Sequence, residues 1–163
     1  MHTYQKIIEG LHSYKIKYLI AGGFAVNFHQ VQRATVDLDL ILHLQTDNIS
    51  NFILLMKSLG YVPRVPVRVE DFADPIKRKE WIDEKGMMVF TFVQPSNPFE
   101  IIDVFTEEPL PFDQLWNNRF EVDAFGGTIH ILGIDDLITL KKRAGREKDE
   151  FDIRQLQKIK GLG

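Results

Sequence analysis

Apolar positions along the chain change period several times, and each change marks a new element. Residues 3–14 place Ile7, Ile8 and Leu11 at helical spacing, so the chain opens on a helix with one polar face. Tyr18-Leu19-Ile20-Ala21 is a short continuous apolar run, read as a strand, and Gly22-Gly23 separates it from a helical stretch over residues 24–33. From Val36 to Leu42 the period switches to two: Val36, Leu38, Leu40 and Leu42 share one face of a strand, and Asp37 and Asp39 share the other. Thr46-Asp47-Asn48 supplies N-cap chemistry for a helix ending at Gly60, with Ile49, Phe52, Ile53, Met56 and Leu59 turned inward.

Pro63 and Pro66 then break regular structure, and the charged stretch 67–86 predicts an exposed excursion with a helix around Pro75 to Glu84. Met87 to Val93 and Phe99 to Phe105 read as an antiparallel pair joined by Gln94-Pro95-Ser96-Asn97-Pro98. A short helix from Phe112 to Asn118 precedes a hairpin, Phe120 to Phe125 and Thr128 to Leu132, turned by Gly126-Gly127. Asp135 is expected to cap the next helix, and residues 147–159 form the last.

These elements predict one α/β domain over residues 1–163: a mixed sheet with its acids on one face and helices on the other, a core over about 15–133, and a C-terminal helical segment over about 134–163. Cysteine is absent, which excludes disulfides and thiolate zinc sites. No apolar run approaches the ~20 residues of a membrane span and the start lacks a signal-like layout, so a soluble, cytoplasmic protein is expected. A net charge of -3 gives no bulk attraction for nucleic acid. The tail from 141 to 160 is the local exception, with eight Lys or Arg against four Asp or Glu.

Two carboxylates on one face of an otherwise apolar strand repel one another and resist desolvation, by several kcal/mol for a buried ion, unless a cation lies between them. Asp37 and Asp39 therefore read as metal ligands. Asp103 sits within the apolar strand pattern from Phe99 to Phe105, with Glu100 on the opposite pleat as its rival for a role beside them. The order strand, Gly22-Gly23, helix suits phosphate, because glycines allow close backbone approach and a helix start offers free N–H groups. Arg33 either approaches such a phosphate or lies in an exposed loop. Lys141 falls mid-way along the apolar face formed by Ile134, Leu137, Ile138 and Ala144, where it either reaches an anion or, like Arg146, pairs with Asp152. The histidines at 2, 12, 29, 43 and 130 have no ligand spacing. Trp81 and Trp116 read as core or rim residues.

Gly22-Gly23, the following helix, Asp37-Leu38-Asp39 and the later Asp103 together resemble the nucleotidyltransferase superfamily. With the string from Leu140 to Ile153, including Lys141, Arg146 and Lys148-Asp149-x-x-Asp152, the chain looks similar to the short bacterial abortive-infection and toxin–antitoxin nucleotidyltransferases. The resemblance spans residues 18–42, 99–105 and 134–156. It implies a polymerase-beta-like fold and transfer of a nucleoside monophosphate from an NTP to an acceptor hydroxyl, with release of pyrophosphate. Two Mg2+ ions, or Mn2+ in their place, would be held by Asp37, Asp39 and Asp103. Gly22, Gly23, Arg33, Lys141 and Arg146 would bind the nucleotide. The implied acceptor is tRNA or a protein, for a toxin acting with an antitoxin partner. The chain also resembles the small lincosamide and aminoglycoside nucleotidyltransferases, whose acceptors are small molecules. A non-catalytic interaction module of the same fold is a third expectation, opposed by the intact acids.

Overall fold

A computed structural model describes residues 2–162. After a 3-10 turn at His2–Tyr4 come α1 (Gln5–Ser13), β1 (Tyr18–Ala21), α2 (Gly22–Phe28), β2 (Leu38–Leu42), α3 (Thr46–Ser58), β3 (Val62–Pro63), α4 (Pro75–Lys85), β4 (Val89–Gln94), β5 (Asn97–Phe105), α5 (Phe112–Asn117), β6 (Phe120–Ala124), β7 (Gly127–Ile131), α6 (Ile134–Ala144) and α7 (Glu147–Leu162). The strands form one mixed seven-stranded sheet in the order β3-β4-β5-β2-β1-β7-β6. β2 runs antiparallel to β1 and parallel to β5, and β1 runs parallel to β7. The central strands are the most apolar, and β1 is buried along its whole length. Leu38, Leu40 and Leu42 are sealed on one side of β2, and Ile41 is sealed two residues beyond Asp39 on the other. The acids thus stand at the margin of a dry surface.

Several local expectations are corrected. The helix after the glycine pair stops at Phe28 rather than residue 33, because Gln30 turns into the left-handed region at φ 69° and Asn27 Oδ1 accepts the Arg33 N–H. Val36 lies outside β2 and is 52% exposed, so the apolar face begins at Leu38. Asn48 does not cap α3. Its amide nitrogen donates to the carbonyls of Lys17 and His43, and its oxygen accepts the Lys17 N–H, which ties α3 to the ends of β1 and β2. Asp135 lies one residue inside α6, behind the N-cap Gly133, and pairs with Lys160.

Pro63 enters a two-residue edge strand, where a missing N–H is tolerated. The stretch 67–86 is anchored rather than exposed: Phe72, Arg78 and Trp81 are buried, Trp81 stacks on Phe90, and Arg78 donates to the Phe72 carbonyl at 2.6 Å. Its charges mislead because only one side of α4 is solvated. The β6–β7 hairpin turns on Phe125-Gly126, both at positive φ, and Gly127 is already in the strand beneath the His12 ring. Among the described residues, no helix is long and apolar enough to cross a membrane.

The Asn48 bridge yields the first prediction. Asn48→Ala leaves the Lys17 amide and two carbonyls short of partners and should cost about 1–3 kcal/mol, a fall of several degrees in melting temperature. A melting temperature within a degree of the parent would contradict the bridge.

Candidate active site

Strand register lines up the candidate residues. Ala21 pairs with Asp39, Asp39 with Asp103, and Asp103 with Thr91, so four neighbouring strands carry one row across the same face of the sheet. Asp37 precedes β2 by one residue and sits two positions from Asp39. Thr91 donates its hydroxyl to Asp103 Oδ1 at 2.5 Å, which orients that carboxylate.

Gly22 follows Ala21 directly, at φ +59°, and a Cβ there would lie 2.0 Å from Asp39 Oδ2. Only glycine satisfies both the left-handed backbone and that approach. At Gly23 a Cβ would collide with Thr35 Oγ1 at 2.4 Å and crowd the Arg33 guanidinium at 3.3 Å. The glycine pair therefore brings the end of β1, the acid strand and the 33–35 loop together.

Tyr4, buried at the end of the N-terminal turn, closes the opposite margin. Its hydroxyl donates to the Val36 carbonyl at 2.6 Å and accepts the Ile101 N–H at 3.1 Å, joining the chain just before Asp37 to the strand that carries Asp103. These contacts reach more than thirty residues along the chain to one partner and more than ninety to the other, so no local pattern announces them.

Electrostatically the acids are uncomfortable. Burial, and then the neighbouring Asp103 and Asp37 charges, push the Asp39 carboxyl up to about 7, against the opposing pull of Lys141 and Arg146. Burial also raises Asp103; the Thr91 hydrogen bond works against this and Asp37 adds to it. No group of three or more His, Cys, Asp or Glu side chains among the described residues is gathered into a finished metal cage. The donor set nonetheless fits a hard divalent cation such as Mg2+: every ligand is oxygen, and the site carries more negative charge than its surroundings offset.

The predicted cations lie in a network beside the acids. Lys141, 5% exposed, contacts Asp149 at 3.3 Å and Asp152 at 2.9 Å; Arg33 reaches Asp152 at 2.8 Å; Arg146 reaches Asp149 at 2.7 Å. Both carboxylates are buried. Asp149 is held low because the Arg146 hydrogen bond and the Lys141 charge outweigh its burial. The expected Lys141–Asp152 pair is present, and the arrangement of Asp149 as the common acceptor for Lys141 and Arg146 was missed. Its signal was the three-residue spacing from Asp149 to Asp152, which puts both on one helix face. Arg33 is neither free nor merely exposed, since it joins the loop after α2 to α7. Ala144, expected on the apolar face of α6, is exposed.

Other candidates stand apart. Glu100 accepts from the Tyr61 hydroxyl at 2.6 Å and from Asn97 at 3.0 Å, on the other pleat from Asp103. His43 stacks on Phe112. Trp116 carries Lys17 and Arg119 against its ring.

Solved structures share this architecture. The chain is similar to a lincosamide antibiotic adenylyltransferase, LnuA, in a lincomycin-bound structure, at 16% identity and TM-score 0.61 over 94% of this chain and 93% of that one. It is also similar to ANT(2'')-Ia in complex with adenylyl-2''-tobramycin, at 14% identity and TM-score 0.62 over 99% and 88% of the two chains. An antigenic nucleotidyltransferase-like protein from Paracoccidioides brasiliensis matches at 17% identity and TM-score 0.59 over 99% and 75%. The fold is that of the nucleotidyltransferases. No protein-family model matches the chain, and no curated protein does.

Two predictions follow from the charges. With a chelator present, the unfolded chain loses its Asp39 proton near pH 4 and the folded chain near pH 7, so stability falls as pH rises through that window. Asp39→Asn should melt higher than the parent above pH 7, by roughly 2–4 kcal/mol after solvent screening, and the gap should close below pH 4. A gap that persists unchanged at pH 3 would count against the charge explanation. Separately, Lys141→Met strands two buried carboxylates, each left with one arginine, and should cost about 3 kcal/mol, part of which Asp152→Asn restores. Full additivity of the two substitutions would exclude the pair as the source.

Proposed function

We propose that the protein transfers a nucleoside monophosphate from an NTP to an acceptor hydroxyl in a reaction that depends on divalent metal. The observation that carries this reading is the in-register pairing of Asp39 with Asp103, with Asp37 alongside and the Gly22 backbone pressed against Asp39. Asp39 and Asp103, both raised by burial in a partly dry site with Asp37 beside them, are a receptor for cations.

Asp37, Asp39 and Asp103 would hold Mg2+, or Mn2+. Bound there, the metal supplies positive charge that acidifies the acceptor hydroxyl and offsets charge on the leaving pyrophosphate. Gly22 and Gly23 present backbone N–H groups to the triphosphate, and the absence of a Cβ lets it approach. Lys141 and Arg146 set a positive potential at Asp39 and favour the polyphosphate over the empty site. Arg33, beside Gly23, extends that potential to the glycine turn. The acceptor oxygen forms a bond to the α-phosphorus, the bond from that phosphorus to the bridging β-oxygen breaks, and pyrophosphate leaves. Asp103, held by the Thr91 hydroxyl, would orient the acceptor hydroxyl or take its proton.

For the acceptor, tRNA or protein fits a toxin with an antitoxin partner, and the basic tail provides local charge for it. A small-molecule acceptor is the second reading. It is supported by the near-complete overlap with LnuA, whose structure holds lincomycin, and by a net charge of -3 that gives no general attraction for RNA.

Incubation with each labelled NTP and, in turn, cellular RNA, protein or hydroxylated antibiotics identifies the fraction that keeps the label. Asp37→Asn and Asp39→Asn should each reduce transfer at least about a hundredfold while remaining folded. Transfer within a few-fold of the parent in either variant would overturn the assignment.

A further inference from the structure

The sheet is least closed between β1 and β7. Their shared register is confined to Ile20 and Ile131, whereas β6 and β7 pair along their full length. Where the two strands begin, a cavity of about 440 Å³ opens, lined in part by His12, Lys15, Lys17, Tyr18, Trp116 and His130. It lies at the far end of β1 from Ala21, and Tyr18 faces the side of the sheet away from Asp39, since Ala21 shares the Asp39 side and Tyr18 is an odd number of residues earlier.

Three features make this cavity unlike a packing gap. Tyr18 is 1% exposed, and its hydroxyl has no hydrogen-bond partner, nor do either of the buried ring nitrogens of His12. The His130 backbone comes near the phenol without forming a bond of ordinary geometry. An unpartnered buried hydroxyl is destabilising, so something that occupies the cavity is expected to satisfy it. The lining carries two lysines and no carboxylate. Neither lysine side chain makes an ion pair among the described residues, and Lys17 Nζ is held 4.8 Å from the Trp116 ring centre, at the cavity wall. The nearby Glu121 is taken by Arg119 at 3.0 Å and His130 at 3.3 Å. Burial pushes the Tyr18 phenol up to about 12, so it remains a donor at neutral pH.

We propose that this cleft is a second ligand site, which binds the phosphate group of a small molecule through the Tyr18 hydroxyl, His12 and the ammonium groups of Lys15 and Lys17. Donors without acceptors, uncompensated cations and an open mouth all call for the same thing, a compact oxyanion. The site is independent of the carboxylate row and of any transfer reaction there.

Free phosphate and a phosphate monoester share this chemistry, and two probes separate them. Inorganic phosphate and AMP are titrated separately into the 15N-labelled protein, with chelator present and ionic strength held constant. The Lys17, Tyr18 and His130 amides should shift saturably with at least one probe at millimolar concentration, and the tighter probe names the source. Tyr18→Phe should weaken that binding about tenfold. The same variant should melt higher than the parent in phosphate-free buffer, because it removes an unsatisfied hydroxyl. The probe should then raise the melting temperature of the parent more than that of the variant. No saturable shift with either probe, shifts confined to Gly22, Gly23 and the acid strand, or equal affinity in Tyr18→Phe would overturn the site.

Discussion

Burial of Asp39 and Asp103 side by side, with Asp37 next to them, is the constraint on which the acid row depends. Parallel pairing of β2 with β5 sets Asp39 directly beside Asp103, and the apolar neighbours that make both strands stable also deprive the carboxylates of water. Burial contributes more to the raised Asp39 pKa than either neighbouring charge does. The same packing that builds the sheet therefore also raises the cost of ionising the acids.

The surroundings hold this arrangement in place instead of neutralising it. Gly22 gives up a side chain so that the backbone can press against Asp39, and Tyr4 pins the chain ahead of Asp37 to β5. On the remaining side, Asp149 and Asp152 gather Lys141, Arg146 and Arg33 into one cluster of three cations on two carboxylates. That surplus of one positive charge near Asp39 lowers the cost of its ionisation without closing the gap between the acids. A buried ion-pair cluster is a poor source of net stability. Its value here lies in position: it fixes α7 and the loop after α2 relative to the acid row.

The sequence carried the central features because they follow from period and chemistry. Alternation placed Asp37 and Asp39 on one face, and the turn read at Gln94 to Pro98, which the structure narrows to Pro95 and Ser96, returned Asp103 to the same sheet; both are local statements about strands. The choice between Asp103 and Glu100 is likewise a matter of pleat, and the structure gives Glu100 to Tyr61. What escaped were contacts between distant segments: the bridge from Asn48 to Lys17 and His43, Tyr4 to Val36 and Ile101, and Arg33 to Asp152 across more than a hundred residues. Local capping chemistry at Asn48 and Asp135 was a reasonable expectation that tertiary partners overrode. The charged stretch 67–86 misled for a related reason, since Arg78 is buried by bonding a backbone carbonyl and lying against Phe72, and neither partner is visible in composition.

The claim that the acid row is a cation receptor is tested most directly by thermal melting of the full chain at pH 8 as Mg2+ is titrated, with matched ionic strength from monovalent salt. Cation binding to the folded state alone raises the melting temperature continuously with concentration, and the account predicts that rise for the parent protein, with Asp39→Asn losing most of it. A parent melting temperature that does not respond to Mg2+ or Mn2+, or an equal rise in the variant, would contradict the account.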